Sequence, residues 1–452
     1  MKTQRTLKKP SLILFFSLFI LFLFTLNNSQ RVSAESSVSM ASKLNSSATF
    51  KINGALASKN LTDDTIDTYL TISKGTILTI TSETKIKSIY ILFDKPPLPY
   101  TLTYDGITQN AGLFGYLHEV IPLQSSSSSI EMTLPEGKIA SVFVYSEGSL
   151  PSTVQQWNAP TYDADLLVFA THSDDEALYF GPAIAMSVSQ GKDVQVAYLV
   201  NHFDTRRRPH ETLDSLWELG VTHYPIFGPF SDIYSGSLAH AYTIFPKDKI
   251  LRYEIEQIRR FKPEVILSHD FGGEYGHGAH MALSDTLREA ILLSSDIHTY
   301  TDSAVRYGVF SPLKTYIHLY KPTEILLDVY SPLASFNGIS ALQVARNAYK
   351  YHISQHIWPL SVIDYTYGDV RRFGLYLSLV GPDTTNNLFE NVPDKIVPID
   401  KPLPDPITKP DPQKPQETNT NLVMTILKSA GLIAIILGYI ILMTQKRRKH
   451  SK

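Results

Sequence analysis

The 452-residue chain contains no cysteine. This absence excludes a disulfide framework, a structural zinc site built on cysteine and a cysteine nucleophile. An excess of charge is lacking too, because 41 lysines and arginines are matched by 43 aspartates and glutamates. The net charge is −2, and no basic stripe interleaved with aromatic residues occurs, so nucleic-acid binding is not expected.

The N-terminal end has the composition of a targeting segment. The apolar run Leu12–Leu26 follows a basic start, and Val32-Ser33-Ala34 fits the small-residue cleavage pattern of a signal peptide. We therefore predict a signal peptide over residues 1–34. The alternative is an uncleaved N-terminal anchor.

The C-terminal end contains a longer apolar run, Leu422–Met443. It is long enough to cross about 30 Å of hydrocarbon, and it predicts a transmembrane helix over residues 421–444. The basic tail over residues 445–452 is expected to stay cytoplasmic. Together the two ends predict a single-pass protein of the cell membrane, with its other domains extracellular. An exported protein without cysteine is typical of a bacterial cell surface.

Two segments between these ends have distinct compositions. Residues 391–420 are rich in proline, with Asp, Lys and Gln between, and predict a semi-stiff stalk. Residues 35–150 contain short alternating runs such as "TYLTISKGTILTITS" and "KIASVFVYSEG", which predict an all-β sandwich. This segment resembles the galactose-binding-like sandwiches, and the resemblance implies binding of a carbohydrate or a surface. The alternative is a spacer that packs on the next domain.

Residues 158–390 have an α/β pattern. Apolar runs alternate with helical patterns, which is typical of a parallel sheet covered on both faces. The predicted strands are 165–170, 194–200, 222–228 and 264–270, and the predicted helices are 176–190, 208–219, 247–261 and 280–293. Residues 228–246 are long for a connection and are predicted to form a functional loop.

Polar clusters follow the first and the fourth of these strands. They are "THSDDE", Thr171–Glu176, and "SHDFGGEYGHGAH", Ser268–His280. Ligands of open α/β sheets bind beyond the carboxyl ends of strands, so both clusters are expected at one crevice. A catalytic zinc takes three nitrogen or oxygen ligands, and a dication offsets the crowding of carboxylates. For either cluster alone, the alternatives are a solvated acidic turn and a chance His-x-x-His spacing.

Four elements in this order resemble the PIG-L/LmbE-like N-deacetylase family, to which the GlcNAc-PI de-N-acetylases belong. "THSDDE" is similar to its AHPDDE motif, and "GGEYGHGAH" is similar to its Y-G-H-x-x-H motif. "RRRPHETLDSLWELGV" and "KYHISQH" are similar to its R-x-x-E helix and its late K…H-x-S-Q element. The four elements cover about residues 160–360. The resemblance implies a Rossmann-like parallel-sheet deacetylase domain.

The resemblance also implies a role for individual residues. Three residues are expected to bind zinc: His172, Asp175 and His280. Asp174 is expected to be the general base, and His277 to stabilise the tetrahedral intermediate and assist departure of the amine. The remaining assignments are Tyr275 for transition-state contact, Arg208 for substrate binding, and Glu211, His352 and Gln355 for support of the site.

Two positions depart from the family pattern. Ser173 stands where proline is usual, and Ala279 stands where aspartate is often found. The first change loosens a preset turn, and the second removes a possible carboxylate partner of a ligand. Glu176 is expected to be a helix N-terminal charge, with a contact that supports a metal ligand as the alternative. His269 is expected to support a metal ligand or the structure, with a fourth ligand as the alternative. His202 and His318 are given no role.

From these features we expect an extracellular, membrane-tethered, zinc-dependent hydrolase. Its expected reaction is removal of N-acetyl groups from N-acetylglucosamine-type sugars of a surface glycan or a lipid-linked sugar. Two alternatives stay open, namely a catalytically decayed glycan-binding surface protein and a metal-dependent amidase acting on a non-sugar conjugate. Two histidines and one carboxylate also suit Fe²⁺, so the choice of zinc comes from the family.

Overall fold

The structure is a computed structural model, and it describes residues 39–395. An all-β part occupies the range up to about residue 150, and an α/β part follows it. The strands of the first part are β1 (Thr49–Ile52), β2 (Ala55–Leu56), β3 (Leu70–Ile72), β4 (Thr76–Phe93), β5 (Tyr100–Tyr104), β6 (Ile107–Ala111), β7 (His118–Leu134) and β8 (Gly137–Tyr145).

The long strands β4 and β7 form the centre of the all-β part, in which every pairing is antiparallel. The ladder between β4 and β7 shifts register between Thr81 and Ile86 and again between Ile86 and Ser88, so the pairing is irregular there. The strands enclose an apolar core to which Leu78, Met132 and Val142 belong, and a smaller buried cluster includes Tyr90 and Phe143. The expected strands are therefore present, while the resemblance to galactose-binding sandwiches stays a prediction.

The α/β part is built on a six-stranded sheet in the order β10-β9-β11-β12-β14-β13. Its first four strands are parallel, and β14 is antiparallel to both of its neighbours. The strands are β9 (Leu166–Ala170), β10 (Val194–Tyr198), β11 (Val265–Ser268), β12 (Lys314–His318), β13 (Glu324–Leu326) and β14 (Arg372–Ser378). The helices are α1 (Asp175–Leu178), α2 (Gly181–Ser189), α3 (Arg208–Glu218), α4 (Leu238–Ile244), α5 (Lys247–Phe261), the kinked turn α6 (Gly273–Gly276), α7 (Gly278–Leu293), α8 (Thr301–Tyr307) and α9 (Ala341–Tyr349).

Helices cover both faces of this sheet, as the apolar strands predicted. In β9, Leu166, Val168 and Ala170 pack into the core on one face. Leu167 and Phe169 alternate with them and pack into the core on the other face. A strand that is buried on both sides reads as a continuous apolar run, which is why β9 was recognisable in the sequence.

The strand order determines where a ligand can bind. From β9 the chain passes to β10 on one side and then returns to β11 on the other side of β9. Such a reversal leaves a crevice beyond the carboxyl ends of the two strands that flank it. Thr171–Glu176 follows β9 and Ser268–His280 begins at the end of β11, so both polar clusters lie at this crevice.

Three local predictions for this part were wrong. Residues 222–228 form no strand and make only isolated bridges, from His223 to Asn158 and from Ile226 to Ala197, because Pro225 has no N–H for a regular ladder. The predicted helix 176–190 is divided into α1 and α2, and Pro182 lies in the first turn of α2. The predicted loop 228–246 contains the short helix α4.

No helix within residues 39–395 is long and apolar enough to cross a membrane. The longest helix of that range, α7, has 16 residues and spans about 24 Å, whereas the hydrocarbon core is about 30 Å thick. The transmembrane helix in the predicted fold class and the predicted single-pass location in the cell membrane are both corrected, because the structure gives no support for a single-pass membrane protein. The predicted signal peptide (1–34), transmembrane helix (421–444) and tail (445–452), and residues 396–420 of the stalk, lie outside the described residues.

Candidate active site

The two polar clusters meet where β9 and β11 end. The first cluster passes directly from β9 into α1, and the second leads through the turn α6 into α7. His172, Asp175, His277 and His280 are all at most 7% exposed. The structure therefore brings the predicted ligands and the predicted catalytic histidine into one buried group.

Three of these side chains form a triangle that suits a metal ion. His172 Nδ1 lies 2.9 Å from His280 Nε2. Asp175 Oδ2 lies 3.5 Å from His172 Nδ1, and Asp175 Oδ1 lies 3.4 Å from His280 Nε2. Ligand atoms about 2.1 Å from a tetrahedral zinc are about 3.4 Å from one another. The three predicted ligands thus have donor types that suit zinc, with one Asp175 oxygen facing each histidine.

Two further imidazoles border the triangle. The ligand atoms of His277 can join those of His172 and His280, and the ligand atoms of His269 can join those of Asp175 and His280. His269 has carboxylates at both nitrogens, with Asp175 Oδ2 at 3.3 Å and Glu274 Oε1 at 3.2 Å. Burial lowers the pKa of His269, but these carboxylates outweigh burial and raise it to about 9. Because its two nitrogens contact two carboxylates, His269 is suited to hold Asp175 in place.

The contacts of His269 continue into the protein. Glu274 Oε2 lies 2.7 Å from His318 Nδ1, and His318 Nε2 lies 3.0 Å from the carbonyl oxygen of Asp369. Burial raises the pKa of Glu274, but His318 and His269 together lower it to about 2. A buried chain of alternating carboxylates and imidazoles therefore leads from Asp175 to Asp369. His318 belongs to none of the sequence motifs, so this chain of contacts is not apparent from the sequence.

Asp174 is held in an unusual backbone conformation. Its φ is 124°, a value that side-chain-bearing residues rarely adopt and that surrounding contacts must fix. Its N–H donates to Glu176 Oε2 at 2.9 Å, and Arg208 Nη2 lies 3.4 Å from its Oδ1. Burial raises the pKa of Asp174 to about 7, although Arg208 opposes the shift. The predicted base and the predicted substrate-binding arginine are thus neighbours.

His277 begins helix α7, and its orientation is fixed by that position. Its Nδ1 accepts a hydrogen bond from the N–H of Ala279 at 3.3 Å, so the neutral ring carries its proton on Nε2. Its ring lies 4.6 Å from that of His172. Burial and the neighbouring His172 lower the pKa of His277 to about 3. Tyr275, which is 50% exposed, lies 5.9 Å from His277 between ring centres.

Ser173 makes contacts that the usual proline could not make. Its N–H donates to His202 Nε2 at 3.1 Å, and its hydroxyl donates to the carbonyl oxygen of Arg208 at 3.1 Å and contacts the hydroxyl of Thr212. His202 is buried, and its Nδ1 lies 3.3 Å from Asp232 Oδ2. His202, which received no role from the sequence, therefore belongs to the wall of the site.

The loop predicted to be functional supplies a residue that the sequence analysis missed. Asp232 lies 3.6 Å from His172 Nε2 and 3.6 Å from Arg208 Nη1. The loop rests on the start of α7, where the N–H of Gly278 donates to the carbonyl oxygen of Ser235 at 2.8 Å. A Cβ at Gly278 would lie 2.3 Å from the carbonyl oxygen of Ser237, so only glycine permits this approach.

The late histidine-containing element supports the first cluster. His352 Nε2 lies 2.5 Å from Glu176 Oε1, which also accepts from Ser215 Oγ at 2.6 Å. Glu176 is fully buried, so it is not merely a charge at a helix start. Glu211 accepts from the N–H and the hydroxyl of Ser354, and Gln355 Nε2 lies 2.9 Å from that hydroxyl. His352 therefore contacts the first cluster, and Glu211 and Gln355 contact Ser354 of the late element.

Residues 167–291 match the family model described as PIG-L, GlcNAc-PI de-N-acetylase. These residues form a PIG-L family domain. The matched range includes both polar clusters, Asp232 and Arg208, whereas His318 and His352 lie beyond it. No curated protein matches the chain.

Several solved structures resemble part of the chain. The conserved protein TT1542 from Thermus thermophilus is 19% identical, with 43% of this chain and 82% of that chain covered and a TM-score of 0.32. N,N'-diacetylchitobiose deacetylase from Pyrococcus horikoshii is 17% identical, with 43% and 73% covered and a TM-score of 0.34. GalB, the 4-carboxy-2-hydroxymuconate hydratase from Pseudomonas putida, is 16% identical, with 49% and 98% covered and a TM-score of 0.32. Because these scores are low and the names include a deacetylase and a hydratase, the reaction has to be argued from the site.

Proposed function

We propose that the PIG-L domain is a zinc-dependent hydrolase that removes the N-acetyl group from N-acetylglucosamine-type sugars of a glycan or a lipid-linked sugar. The observation that carries this proposal is the buried triangle of His172, Asp175 and His280, which Asp174 and His277 border. His172, Asp175 and His280 would hold the zinc ion, which would supply Lewis-acid activation of the amide carbonyl and of a water at neutral pH.

Asp174 is the proposed general base. It lies in the same turn as His172 and Asp175, and contacts with Glu176 and Arg208 hold its backbone and its carboxylate. A positioned base that takes the proton of the attacking water contributes roughly 10²–10⁴-fold to the rate. The same carboxyl can then deliver that proton to the amine. The carbon–nitrogen bond breaks, and the products are acetate and the free amino sugar.

His277 is the proposed donor to the carbonyl oxygen as negative charge develops there. Its Nδ1 is occupied by the N–H of Ala279, which leaves the Nε2 proton available for the substrate. A donor fixed in advance stabilises the transition state because it needs no reorganisation during the reaction. Asp232 and the half-exposed Tyr275 lie at the mouth, where they can contact sugar hydroxyl groups.

The sugar class of the substrate is supported by the description of the matched family, which names a glucosamine derivative. The experiment uses the purified full-length protein with N-acetylglucosamine, its β-1,4-linked oligomers and N-acetylated amino acids. Released acetate is measured before chelation, after chelation and after zinc is added back. Asp174→Asn is compared with Asp105→Asn, which changes an exposed turn of the β part.

We expect release of acetate from the sugars, loss of release on chelation and recovery with zinc. Asp174→Asn should lose at least about 100-fold in rate while it keeps stoichiometric zinc, and Asp105→Asn should match the parent. A protein that holds no stoichiometric zinc and releases no acetate would be a decayed glycan-binding protein instead. Release from the amino acids but from no sugar would favour an amidase.

A further inference from the structure

A second cavity of about 670 Å³ lies beside the proposed metal centre. Its wall includes residues that follow β11 and β12 and residues at the start of β14, among them Asp270, Leu319 and Arg371. This volume is within the range of ordinary ligand sites. Most of its lining lies after residue 318 and therefore outside the range 167–291 that matches the PIG-L family.

The cavity is separated from the metal centre by only two side chains. Glu274 is part of its wall, and the Glu274 carboxylate contacts His269, which contacts Asp175. The next residue in the chain is Tyr275, which lies at the mouth of the metal centre beside His277. The two sites are thus adjacent along the carboxyl edge of the sheet, on either side of the turn that carries Glu274 and Tyr275.

The chemistry of the wall suits a neutral polyhydroxylated ligand. Tyr365 and Tyr367 line the cavity with exposed fractions of 59% and 52%, and neither ring packs against another aromatic ring within residues 39–395. A tyrosine face can pack on the C–H face of a sugar ring, while its hydroxyl stays available for hydrogen bonding. An exposed pair of tyrosines in a concave wall has the chemistry that suits a sugar ring.

The charges of the wall are mixed and largely paired with one another. Arg371 Nε lies 2.8 Å from Asp369 Oδ1, and Arg372 Nη1 lies 2.5 Å from Glu324 Oε1. The wall also contains the ammonium group of Lys321 and the carboxylate of Asp270. Such a wall offers both donors and acceptors without a net field of one sign, which fits hydroxyl groups better than a phosphate or a cation.

The backbone of the wall is strained at three places. Glu274, Leu319 and Thr366 have φ values of 63°, 55° and 59°. Positive φ is costly for residues with side chains, and for a β-branched threonine it is a true outlier. Strain of this kind persists where the surrounding structure maintains it, and it gathers at ligand sites.

We propose that this cavity binds a second sugar residue of the substrate, so that the substrate is an oligosaccharide with one acetamido group at the metal centre and a neighbouring ring on Tyr365 and Tyr367. This proposal rests on the proposed function. It goes further because it names an extended glycan rather than a single sugar, and because it assigns the specificity to residues outside the family match.

The test compares acetate release from N-acetylglucosamine and from its β-1,4-linked dimer, trimer and tetramer. The full-length parent is compared with the double variants Tyr365→Ala/Tyr367→Ala and Tyr365→Phe/Tyr367→Phe. Tyr307→Ala, on α8 and outside the cavity wall, is the control. The alanine pair should lower kcat/KM on the oligomers by roughly tenfold and leave the monomer unchanged, while the phenylalanine pair should keep most of the oligomer preference.

Equal kcat/KM on all chain lengths in the parent would overturn the proposal, and so would an equal loss on monomer and oligomers in the alanine pair. A calorimetric titration with the tetramer in the presence of chelator separates the two proposals. Binding that is lost in the alanine pair, without any acetate release in the parent, would support the cavity and overturn the deacetylase. Absence of binding in the parent would overturn the sugar site itself.

Discussion

Glu176 and His352, 176 residues apart in the chain, approach to 2.5 Å between Oε1 and Nε2. Both side chains are completely buried. Burial raises the pKa of Glu176, but His352 and the hydrogen bonds from Ser215 and Asp174 together outweigh burial, so the resulting pKa lies below the usual value. The pKa of His352 lies above the usual value, because Glu176 outweighs the lowering that burial causes. The two residues thus form an ion pair beneath the proposed metal site.

Removing one partner of this ion pair should be costly. Glu176→Ala leaves His352, Ser215 Oγ and the N–H of Asp174 without their acceptor, so we expect the free energy of unfolding to fall by about 3–5 kcal/mol. A double-mutant cycle with Glu176→Gln and His352→Gln, measured by urea unfolding, should give a coupling energy of about 1–3 kcal/mol. The same cycle on the exposed pair Lys247 and Glu289 should give less than about 0.5 kcal/mol. Equal coupling energies in the two cycles would show that burial does not strengthen the interaction between Glu176 and His352.

The N–H of Ser173 makes a contact that a proline at this position could not make. Ser173→Pro removes the hydrogen bond to His202 Nε2 and also the hydroxyl contacts, whereas Ser173→Ala removes the hydroxyl contacts alone. We expect Ser173→Ala to lower the free energy of unfolding by about 1 kcal/mol. Ser173→Pro should lower it by roughly a further 1–3 kcal/mol, because the buried acceptor His202 Nε2 loses its donor. Urea unfolding in the presence of chelator measures both without a contribution from metal affinity. Equal stability of the two variants would contradict a structural role of this N–H.

A buried pair of histidines joins the β part to helix α3. His118 Nε2 lies 2.7 Å from His210 Nδ1, and His118 Nδ1 faces Gln155 Oε1 and the hydroxyl of Tyr90. Burial lowers the pKa of both histidines, and it lowers that of His210 to about 4 with a further contribution from Arg206. Both rings are therefore neutral in the folded protein at neutral pH.

The pH dependence of stability follows from this lowered pKa. The unfolded chain binds a proton on His210 near pH 6.5 and the folded protein only near pH 4, so stability is full above pH 6.5 and declines as the pH falls toward 4. The loss attributable to His210 is about 3 kcal/mol at pH 4. Asp214 accepts a hydrogen bond from Gln155 at 2.6 Å, and burial raises its pKa to about 7. Its contribution to stability therefore increases as the pH falls, opposite to that of His210.

Because other groups titrate in the same range, the test uses a difference between proteins. His210→Gln should lose less stability between pH 6.5 and pH 4 than the parent, as measured by urea unfolding at each pH. His298→Gln, which changes an exposed histidine after α7, should follow the parent curve. Parallel curves for the parent and His210→Gln would show that the buried pair does not control acid stability.

The elements that the sequence predicted well are those whose pattern is local. Helix α5 was predicted with its observed bounds, because Pro246 and Pro263 flank an amphipathic run. The strands β9 and β11 were recognisable as apolar runs with polar residues directly after them. Strand β4 extends well beyond the run "TYLTISKGTILTITS", because its backbone stays extended through the exposed polar residues 83–85 that interrupt the alternation.

The parts of the site that escaped prediction depend on contacts between distant segments. Asp232 lies in an irregular stretch, and its carboxylate gains significance only from the three side chains it approaches. His318 is the last residue of a buried strand, where a histidine has no pattern that separates a network partner from an ordinary core residue. The motifs therefore indicated the proposed ligands and base, whereas the residues that hold them in place required the tertiary structure.

Arg206 attaches the irregular segment 62–69 of the β part to the start of α3. Its Nε lies 2.8 Å from Asp94 Oδ1, its guanidinium donates to the carbonyl oxygens of Asp67 and Thr68, and it lies 4.3 Å above the ring of Tyr69. We expect Arg206→Ala to raise amide hydrogen exchange in residues 62–69 by about tenfold or more, because the segment has little regular structure of its own. Hydrogen exchange with mass spectrometry measures this directly.

The same experiment tests whether the β part supports the site. Arg208, two residues after Arg206, contacts the carbonyl oxygen of Ser173 and lies 3.4 Å from Asp174, so loosening of Arg206 should also raise exchange over residues 206–212. Arg206→Lys should give an intermediate effect, since one ammonium group cannot replace the several contacts of the guanidinium. Lys87→Ala, which removes a contact to the carbonyl oxygen of Gln124, should leave both segments unchanged.

If exchange rises only in 62–69, the β part is attached to the PIG-L domain without positioning Arg208. If neither segment changes, the role of Arg206 as the attachment is contradicted.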